Sequence, residues 1–381
     1  MSQCQSTNNN SIHIDINTTS ICNIACAYCS ENAGFDEKTT CGLSSLYLKN
    51  TQVKVEDLIN KLDKDPTKCK TLNFWGGEPF VNFNFCKAII EEFKNKPDYS
   101  FFFYTNGILV PDHIEQIKAW NEEFGKEIGY DGQHRLTIQI SYDGRYLTDH
   151  IRIDKSGKGT SERVEKAFHL LRENNISTSL KSVISSDGFE HLYDSFISCY
   201  ELQGFYNPTP DLWSDRTEEE YQKDLEILEV QLSKIAAYII VHKLNPDVFS
   251  WFGKSRAICS VGSGMISVDL DGSLYPCHAG MYGERKDHVM GHLDNFSEVK
   301  EKSMEVFKKI NSHLPEECQK CDVNFCMKCQ MANFAKSEEL DYAKRFTDYQ
   351  ANWQVCRLFK MNDIYNKTVN AVTDNNVELG E

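Results

Sequence analysis

The chain has 381 residues, enough for one large α/β domain and a smaller companion around a sizeable core. Its formal net charge of −15, from 41 Lys and Arg against 56 Asp and Glu, repels phosphate backbones and anionic bilayer surfaces, so a nucleic-acid polymer is a poor partner. No apolar run is long enough to span a bilayer, and the N-terminal MSQCQSTNNN lacks the basic and apolar regions of a secretory signal, which points to a cytoplasmic protein that does not enter a membrane.

From residue 12 to 245, short β-rich runs alternate with longer stretches of helical period, the pattern of a parallel sheet with crossover helices. The spacing predicts strands over 12–17, 71–75, 100–105, 135–141 and 178–184, with a weaker one over 205–213. Helices are expected over 55–64, 83–95, 111–124, 160–175, 190–203 and 217–244. Thr160 followed by Glu162, and Pro111 with Asp112, supply helix-start chemistry. Six β/α units without a seventh and eighth make an α/β fold, a partial (β/α)6 TIM-like barrel open along one side, with its chemistry at the C-terminal strand ends.

After Asn245-Pro246 the texture changes. Asp271-Gly272 between apolar runs marks a hairpin, and beyond it cysteines become frequent while long apolar periods vanish. A segment so poor in core needs a staple, and metal clusters are the natural one. The expected organisation is a barrel over 1–245, a small cysteine-rich domain over 246–365 and a flexible tail over 366–381.

The chain's 15 cysteines are too sparse for a small disulfide scaffold and numerous for a cytosolic enzyme, which favours metal ligation. Cys22, Cys26 and Cys29 form C-x3-C-x2-C directly after the first strand. Three thiolates on one loop can hold three irons of a 4Fe-4S cluster and leave the fourth iron open. Structural zinc wants four ligands, usually in paired C-x2-C units, and no fourth cysteine follows until Cys41. Gly76-Gly77-Glu78-Pro79 closes the second strand: two glycines let backbone carbonyls approach a ligand, and a carboxylate balances an ammonium. Standing alone, the same four residues would be a plain turn. The scattered Cys4, Cys41, Cys69, Cys86 and Cys199 read as buried hydrophobes or surface thiols.

CNIACAYC, with GGEP after the second strand, resembles the signature of the radical S-adenosylmethionine (SAM) enzymes. The resemblance implies that the amino and carboxylate groups of SAM chelate the open iron and that Gly76, Gly77, Glu78 and Pro79 bind its amino group. It places Tyr28 against adenine. Thr105-Asn106-Gly107 and Ser141-Tyr142-Asp143-Gly144 are similar to the family's strand ends that line the SAM pocket, and Arg152 becomes a partner for the SAM carboxylate. By the residues alone, Ser141 and Asp143 also fit an Asx-type turn, and Arg152 a surface cation.

Cys259, Cys277, Cys318, Cys321, Cys326, Cys329 and Cys356 resemble the SPASM extension of these enzymes, which carries two auxiliary iron-sulfur clusters. By analogy Cys318, Cys321, Cys326 and Cys356 hold one cluster, and Cys259, Cys277 and Cys329 the other, one ligand short. The central gaps are x4 and x2 where the family commonly has x5 and x3, and a zinc site on that central group is the competing reading. His278, next to Cys277, is a candidate base for a substrate radical intermediate, or a solvated side chain. In the sulfatase-maturing branch an aspartate stands there, a glutamine stands at Trp75 and a tyrosine at Glu31, which disfavours sulfatase maturation.

The resemblance implies an oxidoreductase or maturase that cleaves SAM reductively to a 5′-deoxyadenosyl radical and takes hydrogen from a peptide or protein side chain. An electron donor such as flavodoxin or ferredoxin would serve it. Only some twenty residues precede the cluster, so a peptide would need a separate recognition protein or a short docking motif. A small molecule or modified nucleotide is the alternative substrate. From another class, an iron-sulfur electron carrier or a zinc-stabilised binding module fits the cysteines, but a carrier has no need of GGEP.

Overall fold

The computed structural model describes residues 11–29, 50–210, 217–250, 261, 264–278, 289–312, 320, 321, 323, 360 and 365. Along the chain, β1 (Ser11–Thr19) and the short β2 (Ile24–Cys26) precede α1 (Val55–Lys64), β3 (Cys69–Gly76), α2 (Phe83–Phe93), β4 (Tyr99–Thr105) and α3 (Val110–Trp120). Then come β5 (Leu136–Ser141), α4 (Arg145–Ile151), β6 (Arg152–Asp154), α5 (Ser161–Glu173), β7 (Ser177–Lys181), β8 (Val183–Ile184), α6 (Leu192–Gln203), β9 (Thr209–Pro210) and α7 (Glu218–Val241). β10 (Met265–Val268), β11 (Ser273–Tyr275), β12 (Gly291–His292) and α8 (Phe296–Ser312) follow.

The sheet runs β12-β11-β10-β1-β3-β4-β5-β7, parallel from β10 to β7 and antiparallel through β11 and β12. This is the partial barrel expected of the α/β pattern. Five of the six expected strands lie in this sheet, the one expected over 178–184 only as far as Lys181, since Val183–Ile184 form β8 outside it. The sixth does not: of 205–213 only Thr209–Pro210 pairs, with β8 in a separate two-stranded sheet, and 211–213 lie outside the described residues. Pro208 and Pro210 have no N–H to give a ladder, which keeps the run out of the main sheet.

Strand period two divides the wall into unlike faces. Ile12, Ile14 and Ile16, Leu72 and Phe74, Phe101 and Phe103, and Leu136, Ile138 and Ile140 join one hydrophobic core beneath the helices. The alternate positions carry Asp15 and Asn17, Thr71 and Asn73, Gln139, Ser179 and Lys181, with Trp75 on β3 and the adjoining rings of Phe102 and Tyr104 on β4 among these polar groups. A closed TIM barrel fills its centre with branched apolar side chains, whereas a polar inner face keeps a lumen for a ligand.

Two local expectations change. Thr160 precedes α5, but its hydroxyl donates to the Arg152 carbonyl at 2.7 Å, and the Ser161 N–H is accepted by Asp149 Oδ1 at 2.8 Å. A side chain on the preceding helix caps α5 instead. The Asp271-Gly272 turn does join β10 to β11, with Gly272 at φ +89°. Because β10 pairs with β1, the sheet runs on past the compositional change near residue 245. Of the cysteines read as buried hydrophobes or surface thiols, Cys69 is buried but disulfide-bonded, while Cys86 and Cys199 are buried free thiols. Cys4, Cys41 and the 366–381 segment lie outside the described residues.

Candidate active site at the strand ends

The end of β1 leads directly into the three cysteines, and Cys22, Cys26 and Cys29 are all half-buried and outside any disulfide. Burial, then the Glu78 carboxylate, pushes the Cys22 thiol up from its ordinary range. The loop is seated on Gly76-Gly77: the Gly77 N–H donates to the Thr19 carbonyl at 2.6 Å and the Glu78 N–H to that of Ile21 at 2.9 Å. A Cβ on Gly77 would stand 2.4 Å from the Ile21 carbonyl oxygen, so the two segments touch only because this residue has no side chain.

Glu78 has no exposed surface. Its Oε1 accepts from the Phe80 N–H at 3.1 Å and the Thr105 hydroxyl at 2.7 Å, and its Oε2 from the Asn106 N–H at 2.8 Å. Burial raises its carboxyl to about 7 against the pull of these donors. Glu78 thus ties the end of β3 to the end of β4. Pro79 opens the short helical turn that follows. Asn106 passes the link onward, donating from Nδ2 to Asn23 Oδ1 at 2.7 Å and to Cys22 Sγ at 3.8 Å.

Asp143 and Arg152 also meet at the loop. Arg152 Nε donates to Asp143 Oδ2 at 2.7 Å, the Tyr28 hydroxyl donates to the same oxygen, and an Arg152 terminal nitrogen reaches Cys26 Sγ at 3.9 Å. The guanidinium lies over the Tyr28 ring, 5.2 Å from its centroid. Arg152 is no surface cation, since it is buried and paired. Asp143 Oδ1 accepts the Val183 N–H at 2.9 Å, a bond across to the β7–β8 segment and not the local Asx turn. Ser141 ends β5, in register with Lys181, whose ammonium burial lowers to about 8.

His278 is brought to the opposite side of the lumen. Its Nδ1 lies 3.1 Å from Asp15 Oδ2, and its ring centroid 5.3 Å from that of Trp75. Asp15 is buried and accepts from Asn73 Nδ2 at 2.7 Å and the Ser267 hydroxyl at 3.3 Å. Burial works against its charge, yet the His278 and Asn73 contacts hold its carboxyl below the usual range. Asp15 and Asn73 were missed as site residues; their signal is the polar alternation within otherwise apolar β1 and β3. Cys277 is buried and Cys321 exposed, while Cys259, Cys318, Cys326, Cys329 and Cys356 lie outside the described residues.

Residues 16–194 match the family described as the Radical SAM superfamily, and residues 259–322 the SPASM iron-sulfur cluster-binding domain. The chain carries a radical SAM domain followed by a SPASM domain. Radical SAM relatives include TigE, a radical SAM cyclopropyl synthase of Paramaledivibacter caminithermalis, 23% identical over 70% of this chain and 57% of that protein. The chain therefore spans little more than half of TigE. A cysteine-type anaerobic sulfatase-maturating enzyme of Clostridium perfringens is 22% identical over 86% of this chain and 93% of its own. Among solved structures, native anSMEcpe with bound AdoMet and the Cp18Cys peptide superposes with a TM-score of 0.62 at 18% identity, covering 95% of this chain and 98% of that one. The chain is an enzyme of the radical SAM/SPASM group, whose cofactors are a 4Fe-4S cluster, SAM and auxiliary iron-sulfur clusters.

The described residues fit such a group. No three His, Cys, Asp or Glu side chains among them converge on a single metal ion. The three thiols of the loop, half-buried and outside any disulfide, are available as ligands for three irons of a cluster. Beside Gly76, Asn17 Oδ1 is a buried acceptor without a hydrogen-bond partner, a place that an ammonium would satisfy.

Proposed function

We propose that this radical SAM/SPASM enzyme acts on a peptide or protein side chain, with Cys22, Cys26 and Cys29 holding the SAM-binding cluster. When bound, the cluster and SAM supply the 5′-deoxyadenosyl radical that removes a hydrogen atom from substrate. The chain's own residues do the rest. Gly76, Gly77 and Asn17 receive the SAM ammonium on backbone and amide oxygens, and Glu78 and Pro79 hold that edge rigid. Thr105 and Asn106 fix the facing strand end. Tyr28 walls the adenine side, Ser141 takes polar groups of SAM at the tip of β5, and Asp143 holds Arg152. The polar lumen between Lys181 and His278 admits the substrate side chain and excludes bulk water. His278, steadied by Asp15, accepts a proton from the substrate after hydrogen removal.

Cys277 with Cys259 and Cys329, and Cys318, Cys321, Cys326 and Cys356, are the candidate auxiliary-cluster ligands, and a low-potential carrier such as ferredoxin or flavodoxin the candidate reductant. The observation that carries the reading is the seating of the cysteine loop on Gly76-Gly77, which brings the two motifs into direct backbone contact. Peptide-acting relatives, one solved with a peptide bound, support the substrate class. Trp75 and His278 set this lumen apart from the sulfatase-maturing pattern.

The test divides an extract of the source cells into a small-molecule filtrate and a peptide and protein fraction, and adds each to the reconstituted enzyme with SAM and reductant. Stimulated 5′-deoxyadenosine formation is expected with the peptide and protein fraction. Stimulation by the filtrate alone would favour the small-molecule alternative.

A further inference from the structure

The three-residue strand β6 pairs antiparallel with β2, and its register sets Arg152 directly opposite Cys26. Directly opposed residues on an antiparallel pair project to one face with Cβ atoms about 4.5–5.5 Å apart, so the backbone itself aims this side chain at this sulfur. Three further contacts hold it there. The Ala27 N–H donates to the Ile151 carbonyl at 3.0 Å, extending the pairing; the Thr160 hydroxyl donates to the Arg152 carbonyl at 2.7 Å; and Asp143 grips the guanidinium from the other side through Nε at 2.7 Å. The remaining terminal nitrogen reaches Cys26 Sγ at 3.9 Å. A second donor, Asn106 Nδ2, stands 3.8 Å from Cys22 Sγ.

Resting on the reading that Cys22 and Cys26 are cluster ligands, the geometry points to Arg152 and Asn106 as positioning residues that act on the ligand sulfurs and set the cluster's reduction potential. Reduction adds one electron to a cluster already carrying negative thiolates. A buried cation and N–H donors at the sulfurs stabilise that added charge, because little water is present to do so, and they raise the potential. Asp143 moderates the effect by sharing the guanidinium and prevents its escape to solvent. Arg152 is then more than a clamp for the SAM carboxylate, since its action on Cys26 does not need SAM.

The experiment is an EPR-monitored redox titration, without SAM, of the anaerobically reconstituted full chain, following the cluster whose signal changes when SAM is later added. Arg152→Gln is expected to move the midpoint to a more negative potential: at the poise where half the wild-type cluster is reduced, the reduced-to-oxidised ratio falls about tenfold, or about 59 mV for a one-electron couple. Asn106→Ala should shift it in the same direction by less, and Arg152→Lys should recover part of the change. A fully loaded Arg152→Gln protein with the wild-type midpoint and weakened SAM binding would overturn the inference and leave Arg152 a SAM clamp alone. Should Arg152→Gln fail to take up a cluster, wild-type midpoints in both Arg152→Lys and Asn106→Ala would overturn it equally, and negative shifts in both would support it. A wild-type chain that takes up no SAM-responsive cluster overturns the parent reading and this inference with it, whereas loaded wild type with unmoved variants overturns this inference alone.

Discussion

Glu78 concentrates at one residue the conflict between burial and charge. With its folded value raised to about 7 by burial, above that of a carboxylate in the unfolded chain, the folded state binds more protons between those two values. Its stabilising contribution is therefore complete in acid and is lost as pH rises towards about 7. The loss is on the order of 3 kcal/mol for a group wholly removed from solvent. Glu78→Gln, neutral at every pH, should flatten this part of the profile, read as apo-protein unfolding midpoints between mildly acidic and neutral pH. An unchanged wild-type slope in the variant would show that the carboxylate is not the source. His278→Ala makes a different prediction: basal SAM cleavage without substrate persists, whereas substrate-dependent product formation, read by mass spectrometry, falls by the factor of about 10²–10⁴ typical of a lost general base. The cysteine triplet and GGEP were legible in the sequence because their chemistry demands particular residue types at fixed local spacing. Asp15 was not, since its partner His278 arrives from 263 positions away, and only the folded sheet brings them together.

Among the elements, the close approach of β3 to the cysteine loop depends on Gly77. Gly77→Ala would push a methyl group into the Ile21 carbonyl, costing about 1–3 kcal/mol in overpacking and displacing the loop. The expected result is a protein with native far-ultraviolet circular dichroism and sharply reduced iron uptake. Undiminished iron uptake would show that the seating is dispensable. On the opposite side of the sheet, Asp65 holds Lys300 of α8 and lies 3.9 Å from Lys70, with all three residues buried. Lys300 also donates to the Thr67 hydroxyl at 2.7 Å, and the Ser297 hydroxyl to Asp65 Oδ2 at 3.1 Å. Asp65→Ala leaves two buried ammonium groups without their shared carboxylate, so urea denaturation should show a loss of about 3–5 kcal/mol, with amide exchange rising first in α8. The barrel strands were readable as elements because apolar and polar residues alternate within them and helices separate them. The sixth was misjudged because apolar composition outweighed its two prolines, and the Thr160 cap because a competing acceptor, the Arg152 carbonyl, lies on another segment.

At the scale of the whole molecule, one sheet carries both the barrel wall and the strands that follow the compositional change, with β10 parallel to β1. That continuity places His278 against Asp15 of β1, next in sequence to the buried Cys277. No helix among the described residues is long and apolar enough to cross a membrane. The central claim is that SAM is cleaved at a cluster held by the cysteine loop. Its most direct test is 5′-deoxyadenosine formation by the anaerobically reconstituted chain with SAM and dithionite, compared between wild type and Cys26→Ala. Formation in wild type together with methionine, and background levels in the variant, is the predicted result. Equal yields from both proteins, or none from a wild type carrying its full complement of iron, would contradict it.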